Sequence, residues 1–495
     1  MQAGRAAALG LLLLALGACV TPAPVNVRLA GDTPPREGYR YDALAAGDNS
    51  DDLFVILAFS GGGTRAAAFA FGVMEGLRDI EYQGLVGPRR LLDDVDVISS
   101  VSGGSFTAAY YALFPDEFFQ RFPADFLNRN IEGALIRKAL APWNWLRLGR
   151  QDFDRIHLAV ELYDETVFRG KTFADLTRKP YVILNATDMS LGRRFEFTQE
   201  QFDLLCSDVS KTKIAAGVAA SSAFPGLLSP LTLKNFAADG CTIAQPEWIE
   251  LALAQRRPLE RHTRARDLNS YRDPDQKRPW IHLLDGGLAD NIGLRGPDVA
   301  LRRVADTSWS VLSRVNEGST RKVLVIAANA KTKPPKDWDQ HESAPGLFSV
   351  LGFVSSGPMD NYSFDTVERI REFAREQNQE YAAWVACRDK TKAICDKEPD
   401  DTVLPPVDYR AVEVAFDNVP EERLRRCLEN LPTSFRLNEA QVELLRRAGR
   451  RLLLTSPELA AAMQTLDQKW TPPDSTIEPA LIARACPDTP EGATR

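Results

Sequence analysis

Residues 95–110 read VDVISSVSGGSFTAAY, and the fold depends on how this stretch is divided. Val95, Val97 and Ile98 suit a strand, and the small and apolar residues after Gly104 suit a helix. Gly103 and Gly104 let the chain turn sharply between the two, so Ser102 is placed at a strand-to-helix bend. A hydroxyl there stands at the carboxyl edge of a sheet, and the following helix N-terminus directs unpaired amides and partial positive charge at any developing anion. The bend fits the nucleophile pattern G-x-S-x-G except at its first position, which is Ser100.

Upstream, Leu53–Phe59 (LFVILAF) is a compact apolar run that ends in Ser60-Gly61-Gly62-Gly63-Thr64-Arg65, and an alanine-rich helical stretch continues to about Ile80. A strand, a glycine loop and a helix make half of a βαβ unit. Consecutive glycines let backbone amides approach a phosphate or an oxyanion. The Lys-Ser/Thr of a phosphate-binding P-loop and the G-x-G-x-x-G of a dinucleotide fold are both missing, so the pattern favours a transient oxyanion. Downstream, Ile281–Gly293 reads IHLLDGGLADNIG, in which a short strand delivers Asp285 into Gly286-Gly287.

These three stretches, in this order, resemble the patatin-like phospholipase family. The resemblance implies a three-layer αβα fold with a mostly parallel central sheet. It implies Ser102 as nucleophile, Asp285 as general base and Gly61, Gly62 and Gly63 as the oxyanion hole. Arg65 would brace that loop, and Gly103, Gly104, Gly286 and Gly287 complete the motifs. The implied activity is calcium-independent lipid acyl hydrolysis of the phospholipase A or lysophospholipase type, with no metal or other cofactor. A general esterase or thioesterase would use the same dyad, and a non-catalytic envelope lipoprotein could keep the fold as a binding module.

A serine hydrolase ordinarily takes its base from histidine. The candidates are His157, His262, His282 and His341, and none has motif context. His282 lies three residues before Asp285 on one strand, so their side chains face opposite sides. This agrees with a Ser102–Asp285 dyad.

At the N-terminus, Arg5 and the apolar Ala6–Leu16 precede Leu16-Gly17-Ala18-Cys19, which resembles a bacterial lipobox. Residues 1–18 are then an export signal and Cys19 carries a lipid anchor. Val20 in place of aspartate favours the outer membrane. Residues 19–50 read as a tether, 51–330 as the catalytic domain and 331–495 as a mainly helical extension packed on it. The remaining cysteines number six, and the shortest loops pair Cys206 with Cys241, Cys387 with Cys395 and Cys427 with Cys486. A net charge of −7 gives no reason to expect a nucleic-acid partner. The expected partners are an acyl-lipid substrate and, through Cys19, a membrane.

Phe114, Phe118, Phe119, Phe122 and Phe126 recur at helical spacing and read as core, whereas Pro142–Leu146 (PWNWL) reads as a packing segment, an interfacial contact or an acyl-chain entrance. Arg256–Arg278 reads as an exposed charged insertion. The leucine spacing of 437–454 indicates a buried helix face, with Arg446, Arg447, Arg450 and Arg451 assigned to solvent.

Overall fold

The computed structural model describes residues 25–31, 38–47, 49–50, 52–84, 87–150, 153–241, 243–255, 259–304, 306–332, 342, 347–395 and 407–487. The export signal, Cys19, the first residues of the tether and His341 lie outside them. Strand β1 (Leu53–Phe59) leads through the glycine loop into α1 (Gly63–Asp79), and β2 (Val95–Val101) leads through Ser102 into α2 (Gly103–Leu113). There follow β3 (Tyr181–Asp188), β4 (Arg193–Glu196), α3 (Ile214–Ser221), β5 (Leu231–Lys234) and β6 (Trp280–Asp285). The chain finishes with β7 (Lys322–Asn329), α4 (Leu347–Cys395), β8 (Asp408–Ala415) and α5 (Glu439–Leu454), beside shorter helices.

The eight strands form one mixed sheet in the order β8-β7-β1-β2-β3-β6-β5, with β4 also on β3. The five from β8 to β3 are parallel, and β6 runs antiparallel to both β3 and β5. Every residue of β1, β2 and β3 is buried, as a parallel sheet covered on both faces requires. This is the three-layer α/β arrangement expected. Strand β6 instead alternates exposed and buried residues over its first four positions, because its antiparallel pairing at the side of the sheet leaves one face less covered.

Residues after 330 join the sheet as well as packing on it. They supply β8 to the sheet in register with β7, and α5 packs along α1. Contact between these helices is close enough that a Cβ on Gly72 would fall 2.0 Å from the Arg446 carbonyl oxygen. That approach brings Arg446 to Glu75 (2.7 Å) and Arg450 to Asp79 (2.8 Å), so these two arginines face α1 rather than open solvent. Arg447 is exposed, and Arg451 pairs with Glu421.

Three further expectations change. Disulfides join Cys206 to Cys241 and Cys427 to Cys486, with Cα separations of 6.0 and 5.8 Å. Cys387 and Cys395 both lie in α4, where eight residues of helix separate Cα atoms by about 12 Å, beyond the roughly 7 Å that a disulfide spans. The charged stretch before β6 is structural over its described part. It forms the helix Glu260–Asn269, Arg261 pairs with the buried Asp306 at 2.6 Å, and Arg278 pairs with the buried Asp188 at 2.6 Å. Finally, Phe118, Phe122 and Phe126 are core, but Pro142–Leu148 is a helix with its tryptophans exposed.

Candidate active site

Ser102 sits between β2 and α2 with φ 49° and ψ −118°, a backbone region that side-chain-bearing residues rarely occupy. What holds it there is hydrogen bonding from behind. The Ser102 amide donates to Ser221 Oγ at 2.9 Å, the Ser221 hydroxyl donates to the Asn185 carbonyl at 2.6 Å, and Ser105 Oγ lies 3.0 Å from Ser221 Oγ. Gly103 is fixed by crowding, since a Cβ there would lie 2.0 Å from the Gly63 carbonyl oxygen. The nucleophile turn and the glycine loop are thus in backbone contact. Gly104 is buried in the first turn of α2.

Ser100 does not disturb the bend. Its hydroxyl turns aside to donate to the Ile183 carbonyl at 3.2 Å on β3, so the missing glycine is replaced by a cross-strand hydrogen bond.

Asp285 ends β6. Its amide donates to the Ala223 carbonyl and Thr187 Oγ1 donates to the Asp285 carbonyl, which fixes the backbone on both sides. Gly286 follows, where a Cβ would come within 2.2 Å of the Asn185 carbonyl oxygen. The carboxylate accepts from the Gly287 amide at 2.8 Å. Burial raises its pKa from 3.8 to about 6, and the Gly287 amide and the neighbouring Ser102 hydroxyl oppose the rise without cancelling it. Ser102 and Asp285 are 5% and 4% exposed, so both residues lie beneath the surface.

The glycine loop divides its amides. Gly61 was expected among the oxyanion donors, but its N–H donates to the Asn291 carbonyl at 2.9 Å. Thr64 donates to the Ser434 carbonyl at 2.9 Å. Gly62 (φ 139°) and Gly63 (φ 59°) lie between them, and no protein acceptor meets their amides among the described residues. Arg65 is buried and donates from Nε to the Ala330 carbonyl and from Nη1 to the Leu431 carbonyl. Burial lowers its pKa to about 10, which leaves it charged at neutral pH.

The described histidines have other tasks. His157 lies in the first turn of the helix Arg155–Tyr163, where its Nδ1 accepts from the Asp154 amide, and exposed His282 meets Thr232 through Nδ1. His262 lies in the helix Glu260–Asn269. None is among the groups that touch Asp285. Among the described residues no cluster of histidine, cysteine and carboxylates could hold a metal ion.

Residues 57–298 match the model of the family described as patatin-like phospholipase. The chain carries a patatin-like phospholipase domain. Within the patatin-like domain lie the glycine loop, Ser102 and Asp285, whereas Ala330, Leu431 and Ser434, which hold the loop, lie beyond its matched end. No curated protein sequence matches the chain. Among solved structures, human GIVD cytosolic phospholipase A2 is similar at 12% identity and a TM-score of 0.44, over 84% of this chain and 62% of that one. The same enzyme with methyl gamma-linolenyl fluorophosphonate gives 12% and 0.37, over 84% and 59%. VipD from Legionella pneumophila gives 9% and 0.26, over 87% and 71%. The chain thus spans less than two thirds of the human enzyme.

Asn291 and Ser434 carry no chemical signature in the sequence. Asn291 could have been suspected from its place just after the Asp285 motif; Ser434 is about 370 residues from the loop it holds, and no local pattern announces it.

Proposed function

We propose that the protein is a lipid acyl hydrolase that cleaves carboxylic esters through an acyl-enzyme on Ser102. The observation that carries this is a buried carboxylate, Asp285, that lies beside the Ser102 hydroxyl and pairs with no cation among the described residues. With a pKa of about 6, Asp285 is mainly ionised at neutral pH yet far more basic than a solvated carboxylate.

Ser102 Oγ attacks the ester carbonyl carbon as its proton passes to Asp285. The carbonyl oxygen becomes an oxyanion and accepts from the Gly62 and Gly63 amides, a position in which losing one donor costs about 3–4 kcal/mol. The helix N-terminus after Ser102 favours the same negative charge. The tetrahedral intermediate collapses, the alkoxide leaves and takes the proton from Asp285, and an acyl-Ser102 ester remains. Water then attacks that ester and gives its proton to Asp285. The fatty acid departs and Ser102 regains its proton.

Support for a lipid ester comes from the patatin-like domain, and the lipobox-like segment at Cys19 supports a lipid-anchored protein of the cell envelope, with the outer membrane favoured. A fluorophosphonate probe should label the protein and fail to label Ser102→Ala. Fatty-acid release should be followed on phospholipids, lysophospholipids, triacylglycerols and short acyl esters; a folded protein that is neither labelled nor active on any of them overturns the proposal.

A further inference from the structure

Residues 131–148 form two short helices, Ile131–Leu140 and Pro142–Leu148, whose outer side is apolar. Trp143 is 70% exposed, Leu146 82% and Leu140 63%, with Ile136 and Trp145 also exposed. Five of the fifteen large apolar side chains that the described residues expose fall between positions 136 and 146. A scattered exposed leucine needs no explanation, but this concentration does.

The exposure is built in. Asn144, on the opposite side of the second helix, is buried; it donates to the Lys138 carbonyl at 2.7 Å and accepts from Arg147 at 3.0 Å, which locks the two helices together. Trp143 and Trp145 flank it in sequence and are thereby turned outward.

These helices are tied to segments that hold the site, with their exposed side chains directed away from it. The Ile131 amide donates to the Phe435 carbonyl, and Glu132 accepts from Ser434 Oγ at 2.7 Å. The same Ser434 holds the glycine loop through Thr64. On the other side, Arg147 pairs with Glu161 on the helix Arg155–Tyr163, and Tyr163 at its end feels the charge of Asp285. Half-exposed Phe224 and Leu227 follow Ala223, whose carbonyl receives the Asp285 amide, and Arg155 donates to Gly226 in that turn.

Charge selects the occupant. The protein carries −7, but residues 129–150 hold Arg129, Arg137, Lys138, Arg147 and Arg150 against the single carboxylate of Glu132. Lys138 and Arg147 are held by Glu161 and Glu165, while Arg137 projects an exposed guanidinium beside Ile136. Tryptophan and leucine framed by basic residues suit a surface that is apolar beneath and anionic above. Two copies meeting through this face would bring like charges together. We propose that the 136–146 surface docks the protein on a phospholipid membrane containing anionic lipid, next to the site that would consume its esters. The choice of partner rests on the hydrolase reading above.

The test uses the full chain with Cys19→Ser, so that an anchor cannot mask the contact, and Ser102→Ala during binding, so that vesicles stay intact. Sedimentation with phosphatidylcholine vesicles containing phosphatidylglycerol should show binding. Trp143→Ser/Trp145→Ser/Leu146→Ser should weaken it at least about tenfold, the size of exposing one large apolar side chain. Arg137→Glu should weaken it less, in a salt-dependent way, and only when phosphatidylglycerol is present. With Ser102 intact, the triple variant should keep its rate on a soluble short-chain ester, which also shows that it folds. Equal vesicle binding by the triple variant overturns the proposal, as does a change from dimer to monomer with vesicle binding unaltered. Vesicle binding that behaves as expected in a protein inactive on every ester would overturn the hydrolase reading and leave the docking surface standing.

Discussion

Asp188 ends β3 and Asp285 ends β6, and the pairing of these strands sets Leu283 opposite Asp188 and Asp285 opposite Ala186. Both carboxylates are buried at neighbouring strand ends, yet they are furnished oppositely. Asp188 accepts from Arg278, the Tyr271 hydroxyl and the amides of Ser190 and Leu191. Asp285 accepts from one amide, that of Gly287, with the Ser102 hydroxyl nearby. A buried charge with a cation and a full set of donors holds structure together; one left short of them is basic, because protonation relieves its desolvation. Reactivity here is a deliberate deficit of partners.

The sharpest way to break that comparison is to remove each charge. Asp285→Asn should lower kcat on the order of 10⁴-fold, as loss of a base's function does in hydrolases, with the fold intact. In the unmodified protein, kcat/KM should rise as pH passes upward through about 6, where Asp285 ionises. A flat profile from pH 5 to 8 would remove Asp285 as the base.

Asp188→Ala should do the reverse, costing about 3 kcal/mol in denaturant unfolding by stranding the buried Arg278 charge, while any protein that remains folded keeps its turnover.

A smaller effect tests the sign of the deficit. The folded pKa of Asp285 is raised, so its protonated form is favoured by the fold below about pH 3.8, and that contribution is lost as pH climbs through about 6. Asp285→Asn should therefore stabilise the protein on the order of 2 kcal/mol at pH 8, with the gain shrinking towards pH 4. Equal stability of the two proteins at pH 8 would mean that the carboxylate carries no strain.

Ser100→Gly should matter least. It removes one cross-strand hydrogen bond and loosens a strand interior, so unfolding should become easier by about 0.5–1 kcal/mol, with turnover changed less than about twofold. A larger change in rate would show that Ser100 helps to aim Ser102.

Much of this was legible in the residues. LFVILAF is apolar without alternation, which only a strand covered on both faces tolerates, and it is a central parallel strand. The order of glycine loop, Ser102 and Asp285, each after an apolar run, points to three loops at one edge of a sheet. Less legible were the arginines. Arg278 and Arg446 sit in stretches that read as solvated, and each turned inward because a carboxylate from a remote segment, Asp188 or Glu75, lay within reach. Composition records a charge but not its future neighbour. Cys387 and Cys395 failed for a related reason: minimising loop length ignores that an intervening helix is rigid.

The sequence by itself determined which groups are present and roughly which edge of the sheet they share, since apolar runs and glycine turns act over a few residues. Tertiary structure decided what those groups can do. Asn291 takes the Gly61 amide and Ser434 the Thr64 amide, which leaves the Gly62 and Gly63 amides without a protein acceptor among the described residues. Burial without a nearby cation raises the pKa of Asp285, as the proposed base requires. Both outcomes depend on which atoms are withheld as well as which are supplied, and withholding is a property of packed neighbours drawn from the whole chain.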